Sequence, residues 1–235
     1  MQADAMKSTA MDSLAPWLPW LLQASDSQFP SGAYAHSMGL EELTQRGLVK
    51  NADDVERFIH HQVLPSLCAF ELPFLVRVHR AAAKEDAAEV RRMDDELEAW
   101  KLSAEMRQAS RQIGSRRLAL VRKLAPSVYI DAYAESGAPC HQLVVCALEF
   151  RAVPVSAVVC AFALQTISGY ATAAMKLVRM GQERSQTIIR GAMAALTPRL
   201  DEIASREPER IGWFNPLLEI ASMRHARAQE RLFIS

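Results

Sequence analysis

From Pro154 to Met175 the chain reads PVSAVVCAFALQTISGYATAAM, without one charged side chain. A run of that length and polarity has two destinations, a bilayer or the middle of a helical bundle. Two serines, two threonines, Gln165, Tyr170 and Gly169 interrupt its apolar character, which favours a buried central helix over a membrane span. Small residues at Ser156, Cys160, Ala163, Gly169 and Ala173 suit close approach of other helices. The rest of the chain has to be built around this rod.

That surrounding sequence is also helical in pattern. Glycine is scarce at 9 residues of 235, alanine and leucine are abundant, and no stretch alternates with period two. The expectation is an all-α, single-domain bundle of about ten helices over residues 13–235, preceded by a polar, disordered tail at residues 1–12. A stub around LAPWLPWLL leads into a polar turn. A helix follows with Ser37 as N-cap and Gly47 as its close. Asn51 starts another helix, which Pro65 and Pro73 should kink or split. A charged helix covers about 85–100, and a long one covers LSAEMRQASRQIGSRRLALVRKLA with Leu102, Met106, Ala109, Ile113, Leu120 and Leu124 as its apolar stripe. A looser segment then ends in SGAPCH. A buried helix at QLVVCALEFRA precedes the uncharged rod, and helices on either side of Pro198 and after Pro216 complete the chain.

Charge and cysteine usage narrow the function. Lys plus Arg and Asp plus Glu both number 27. A balanced chain is a poor match for nucleic acid, and it lacks the repulsion that opposes self-association. Cys68, Cys140, Cys146 and Cys160 form no C-x-x-C pair, which fits a reducing, cytoplasmic setting. The N-terminal residues lack a basic region and a cleavage pattern, so no secretory signal is expected.

A search for catalytic patterns finds no Walker A loop, dinucleotide fingerprint, H-E-x-x-H or G-x-S-x-G. The turn after the stub holds Asp26, Ser27, Pro30, Gly32, His36, Ser37 and Gly39. Serine, histidine and aspartate crowded on one turn are badly placed for a relay, so these residues read as architecture: side chains that cap and bond freed backbone, with Pro30 and Gly32 bending the chain. A hydrolase built on Ser27 and His36, or a small-molecule pocket built on Tyr34, His36 and Tyr170, are the alternatives. For metals, His60 and His61 are adjacent and diverge by about 100° on a helix. Cys140, His141 and His225 are the weak candidates, and no metal site is expected within one chain.

Two features suggest docking surfaces. Ser103, Arg107, Ser110 and Gly114 recur at i, i+4, i+7 and i+11, a small and polar stripe where another backbone could approach and arginine could bond it. The sequence also ends in Leu232, Phe233 and Ile234, an apolar run that should pack on something.

Four blocks in order resemble the urease accessory protein UreF family. LLQASDSQFPSGAYAHSMGLE is similar to L-L-Q-x-x-D-S-x-F-P-x-G-[GA]-[FY]-x-x-S-x-G-L-E, with Ala33 where glycine is common. EAWKLSAEMRQASRQIGSRRL carries the core S-x-E-x-R-x-A-S-x-Q-x-G. GQERSQ stands where the family has GQTDGQ, and LLEIASMRHARAQERLFIS resembles i-A-S-m-x-H-x-x-x-x-x-R-L-F-x-S. The resemblance implies a cytoplasmic, all-helical, non-enzymatic protein, dimeric in its complex, needed for nickel insertion into urease. It implies bridging of UreD (also called UreH) to the GTPase UreG on the way to the urease apoprotein. Nickel is then handled by the complex and GTP by UreG, with no cofactor of this chain's own. The candidate partner-binding residues are Arg107, Ser110, Arg111 and Gly114 on the long helix. The resemblance adds Arg231, Leu232, Phe233 and Ser235 in the tail.

Overall fold

Residues 15–235 are described by a computed structural model, and all regular elements among them are helical. The tail expected at residues 1–12 lies outside the described residues. Thirteen α-helical segments follow in order: α1 Leu18–Ser25, α2 Leu40–Gln45, α3 Ala52–Phe58, α4 Leu64–Ser66, α5 Leu72–Ala83, α6 Ala87–Trp100, α7 Ala104–Leu124, α8 Val128–Glu135, α9 Gln142–Glu149, α10 Val155–Leu177, α11 Gln182–Leu196, α12 Leu200–Ser205 and α13 Pro216–His225.

Helix α9 is buried along its whole apolar length, from Leu143 to Leu148, and lies between α5 and α7. Helix α10 packs on α11, α5, α2, α1 and α9. Its Val158, Val159, Phe162, Ala163, Ile167, Ala171 and Ala174 are buried, while Ser156, Leu164 and Gly169 stay exposed. One inward face and one outward face is the arrangement of a bundle helix.

The two prolines do not split the second helix. Segments α3, α4 and α5 run on as one rod through two π-helical turns, Ile59–Val63 and Leu67–Glu71. Each turn closes on the residue just before a proline: Leu64 N–H donates to Ile59 O, and Leu72 N–H to Leu67 O. The wider turn makes room for the ring and absorbs the missing donor. At the start of the rod, Asn51 Oδ1 accepts from Asp53 and Asp54 N–H at 3.0 Å each.

Three other expectations are corrected. The looser segment after α7 contains α8, whose Ile130 and Tyr133 are buried. The N-cap of α2 is Gly39, left-handed at φ 88°, and not Ser37. On α7 the buried face runs through Ala109, Ser110, Ile113, Gly114, Arg117, Leu118 and Val121, while Leu102 and Leu124 are exposed. Ser103, Ser110 and Gly114 of the small, polar stripe turn inward, on the side where Arg117 pairs with the buried Glu149 of α9.

Candidate functional site

The polar turn and the end of the sequence, two hundred residues apart, form one site. Ile234 N–H donates to Ala35 O at 2.8 Å, and Ser37 and Met38 N–H both donate to the main-chain oxygen of Ser235. His36 Nδ1 lies 2.7 Å from Ser235 Oγ. Glu41, 3% exposed on α2, accepts from Leu232 N–H at 2.7 Å and Phe233 N–H at 3.0 Å. Burial raises the Glu41 carboxyl, but the bonds from Leu232, His225 and Phe233 carry it below its ordinary pKa. His36 therefore bonds the tail, while Ser37 serves both sides: its N–H donates to Ser235 O, and its Oγ and main-chain O accept from Glu41 N–H at 3.4 Å and Leu40 N–H at 3.1 Å at the start of α2.

Helix α13 ties this dock to α7. His225, fully buried, places Nε2 2.9 Å from Glu41 Oε2 and Nδ1 2.9 Å from Glu105 Oε1. Ser222 Oγ meets Glu105 at 3.1 Å and Ser103 Oγ at 2.7 Å, and Ser103 N–H donates to Glu219 at 2.8 Å. Gly39 packs against Ala221 and the backbone of Leu218 and Ser222. Three of the four sequence blocks thus converge on Glu41, Glu105 and His225. The sequence reasoning singled out His225 only as a weak metal candidate and missed both carboxylates and Ser222. The signal was present: Glu41, Ser103, Glu105 and Ser222 are all positions in the quoted blocks.

Within the tail, Phe233 and Ser235 are buried and Leu232 and Ile234 are about half exposed or more. Phe233 lies under Lys176, whose Nζ is 5.2 Å from the ring centroid. Arg231, exposed in part, reaches Glu105 at 3.5 Å. The dock holds alternate residues of the tail and presents the others outward.

The stripe on α7 meets this chain's own loop. A Cβ on Gly114 would clash with Cys140 O and stand 2.7 Å from Gln142 N and 2.8 Å from His141 C. Ser110 Oγ is 3.0 Å from His141 Nδ1, and Glu98 is 2.9 Å from His141 Nε2. Burial and then Lys101, Arg111 and Arg107 push His141 down to about 3, so its ring is neutral and satisfies both contacts when protonated at Nε2. Asp94, 0% exposed on α6, fixes the loop by accepting from Tyr133 Oη at 2.6 Å, Cys140 N–H at 2.7 Å and His141 N–H at 3.2 Å. These bonds hold Cys140 at φ 62°, in the left-handed region. Ser110 and Gly114 are therefore interior residues, and of the four candidate residues on α7 only Arg107 and Arg111 reach the surface.

The alternatives are not assembled. Asp26 and Ser27 are exposed, Asp26 Oδ1 accepts from Gln28 N–H, and His36 is buried on Ser235. Tyr34 is 67% exposed, while Tyr170 packs on Phe58 and lines a separate cavity of about 70 Å³ that includes neither Tyr34 nor His36. Among the described residues no cluster of three His, Cys, Asp or Glu side chains is placed to hold a metal ion.

Comparison with known proteins follows the same outline. The family model described as UreF matches residues 49–193. A urease accessory protein UreF of Azoarcus sp. (strain BH72) is 36% identical over 230 residues, covering 92% of this chain and 94% of the relative. Those of Pseudomonas putida (strain F1) and Paenarthrobacter aurescens (strain TC1) are 30% and 29% identical, each spanning 92% of this chain and 96% of the relative.

Proposed function

This chain belongs to the UreF family of urease accessory proteins and serves urease maturation; from that premise we propose that it works as a non-enzymatic scaffold in the cytoplasm. It bridges UreD (UreH) and UreG as a homodimer and regulates the passage of nickel, as cargo, to the urease apoprotein. Nucleotide stays on UreG, and this chain needs no cofactor of its own.

The observation that carries the reading is the dock. Three motif blocks commit Glu41, Ser103, Glu105, Ser222 and His225 to fixing a short non-helical tail, and none of these five groups is left arranged for chemistry. What they produce is surface: Leu232 and Ile234 outward on the tail, Leu217, Ile220 and Met223 exposed along α13, and Phe214 exposed just before it. At spacings of three, the α13 residues share a face, and exposed apolar faces of this kind mark protein contacts. Arg107 and Arg111 form a second, polar surface.

Size-exclusion chromatography with light scattering tests this, with the chain alone and then mixed with UreD, UreG, nickel and a GTP analogue. A ternary complex containing two copies of the chain is expected. Arg107→Ala with Arg111→Ala is expected to weaken that complex while leaving the chain soluble. A chain that elutes unchanged beside both partners overturns the scaffold reading.

A further inference from the structure

The outward side of α7 runs up to the tail dock, where the Arg116 side chain lies against Gly32 of the turn. Together with Glu98, Ala104 and the loop at Ala138 and Pro139, it borders an open groove of about 740 Å³. Two rows of polar side chains line it on successive turns, Arg107, Arg111 and Ser115 in one and Gln108, Gln112 and Arg116 in the other. Three guanidiniums face a single carboxylate. Glu98 stands 3.5 Å from both Arg107 and Arg111, and it is already engaged by His141. In a chain with no net charge, this is a local positive excess. Gln108, Gln112, Ser115 and Arg116 make no side-chain hydrogen bond among the described residues.

The spacing limits what fits. Side chains one helical turn apart are about 6 Å from each other. Alternate residues of an extended chain repeat at about 6.6–6.8 Å. Guanidinium forks match carboxylates, and glutamine amides can both donate to and accept from a peptide backbone. The groove is open along its length, which suits a chain laid across it better than an enclosed small anion.

We infer that this groove binds an extended acidic segment of a partner protein, with Arg111 and Arg116 taking its carboxylates and Gln108 and Gln112 its main chain. The inference rests on the scaffold reading only for the source of that segment. Arg107 also bonds Lys101 O at 2.6 Å, so it is left intact in the test.

Fluorescence anisotropy is measured on the full chain with a labelled peptide of alternating Glu and Ser, and with a Gln and Ser peptide of equal length. Binding of the acidic peptide alone is expected. Arg111→Glu with Arg116→Glu is expected to weaken it by about tenfold or more. The reversal Arg57→Glu with Arg190→Glu, which changes net charge equally on exposed positions, is expected to leave it unaltered. Far-UV circular dichroism checks that both variants fold, and Arg111→Gln with Arg116→Gln stands in if the reversal unfolds the chain. No binding, equal loss in the control variant, or displacement by inorganic pyrophosphate at low concentration overturns the inference. Peptide binding without ternary assembly removes the scaffold reading and keeps the groove; assembly without peptide binding removes the groove.

Discussion

Arg117 shows how much one side chain can organise. It is 1% exposed on α7, paired with the buried Glu149 of α9, and donates to Ala24 O at 3.1 Å. Its guanidinium also lies 5.2 Å from the Phe29 ring centroid and 5.5 Å from that of Phe150. Breaking such a pair leaves a charge buried without its partner. Arg117→Ala is therefore expected to cost roughly 3–5 kcal/mol in a urea unfolding measurement. The double change Arg117→Met, Glu149→Leu is expected to recover most of that, because nothing charged is then stranded. A mild single variant would show that Glu149 finds other partners. Sequence reasoning placed Arg117 on no face at all. An arginine next to an apolar stripe reads as solvated until its partner, thirty-two residues away, is known.

At the scale of elements, local chemistry was legible and its exceptions were not. Asn51 is an example of the first. The sequence starts a helix at Asn51, and the Asn51 Oδ1 does accept two backbone N–H groups. Asn51→Ala is expected to cost about 1 kcal/mol and Asn51→Gly a few tenths, read as shifts of the urea midpoint. Equal costs would mean that the side chain does not cap. Pro65 and Pro73 are examples of the second. The rule that proline interrupts a helix is local, but continuation through a π turn is worth its poorer geometry only when the flanking residues gain burial. Ile59, Val63, Leu64, Leu67 and Leu72 are all buried, and that gain is tertiary. The inward stripe of α7 has the same origin: spacing predicted that another backbone could approach, and the structure supplies loop 137–141 as that backbone.

Across the whole molecule, buried histidines set the response to acid. His36 is lowered to about 4 by burial and then by Arg116, and His141 to about 3. In the unfolded chain both take up protons near 6.5, so their contribution is complete above that pH and is lost as pH falls through the window to about 4. Asp94 acts oppositely. Burial raises it to about 6, so its neutral form is favoured and its contribution is lost as pH rises through 6. His79 is lowered by burial like the other two histidines, and Glu71 and Glu149 are raised by burial like Asp94; the histidines are expected to make stability fall between pH 6.5 and 4. His36→Asn should flatten that slope in urea midpoints taken across the range; an unchanged slope would show that His36 is not among the groups responsible. The dock makes a separate prediction. Deleting Leu232–Ser235 removes no helix, so the far-UV spectrum should hold while the unfolding midpoint drops and urease activation in a reconstituted system is lost. Collapse of the helical signal would make the tail part of the core rather than a presented surface.

The sequence by itself determined the class and the family: apolar positions at helical spacing, scarce glycine and four ordered blocks suffice for an all-α protein of the UreF family, because these are properties of neighbouring residues. It also placed the turn, the long helix and the tail as the segments to watch. Only the tertiary structure decided that these three are one site. The bonds from Glu41 to Leu232, Phe233 and His225 join residues nearly two hundred positions apart, and no periodicity along a chain encodes which distant carboxylate a backbone N–H will find.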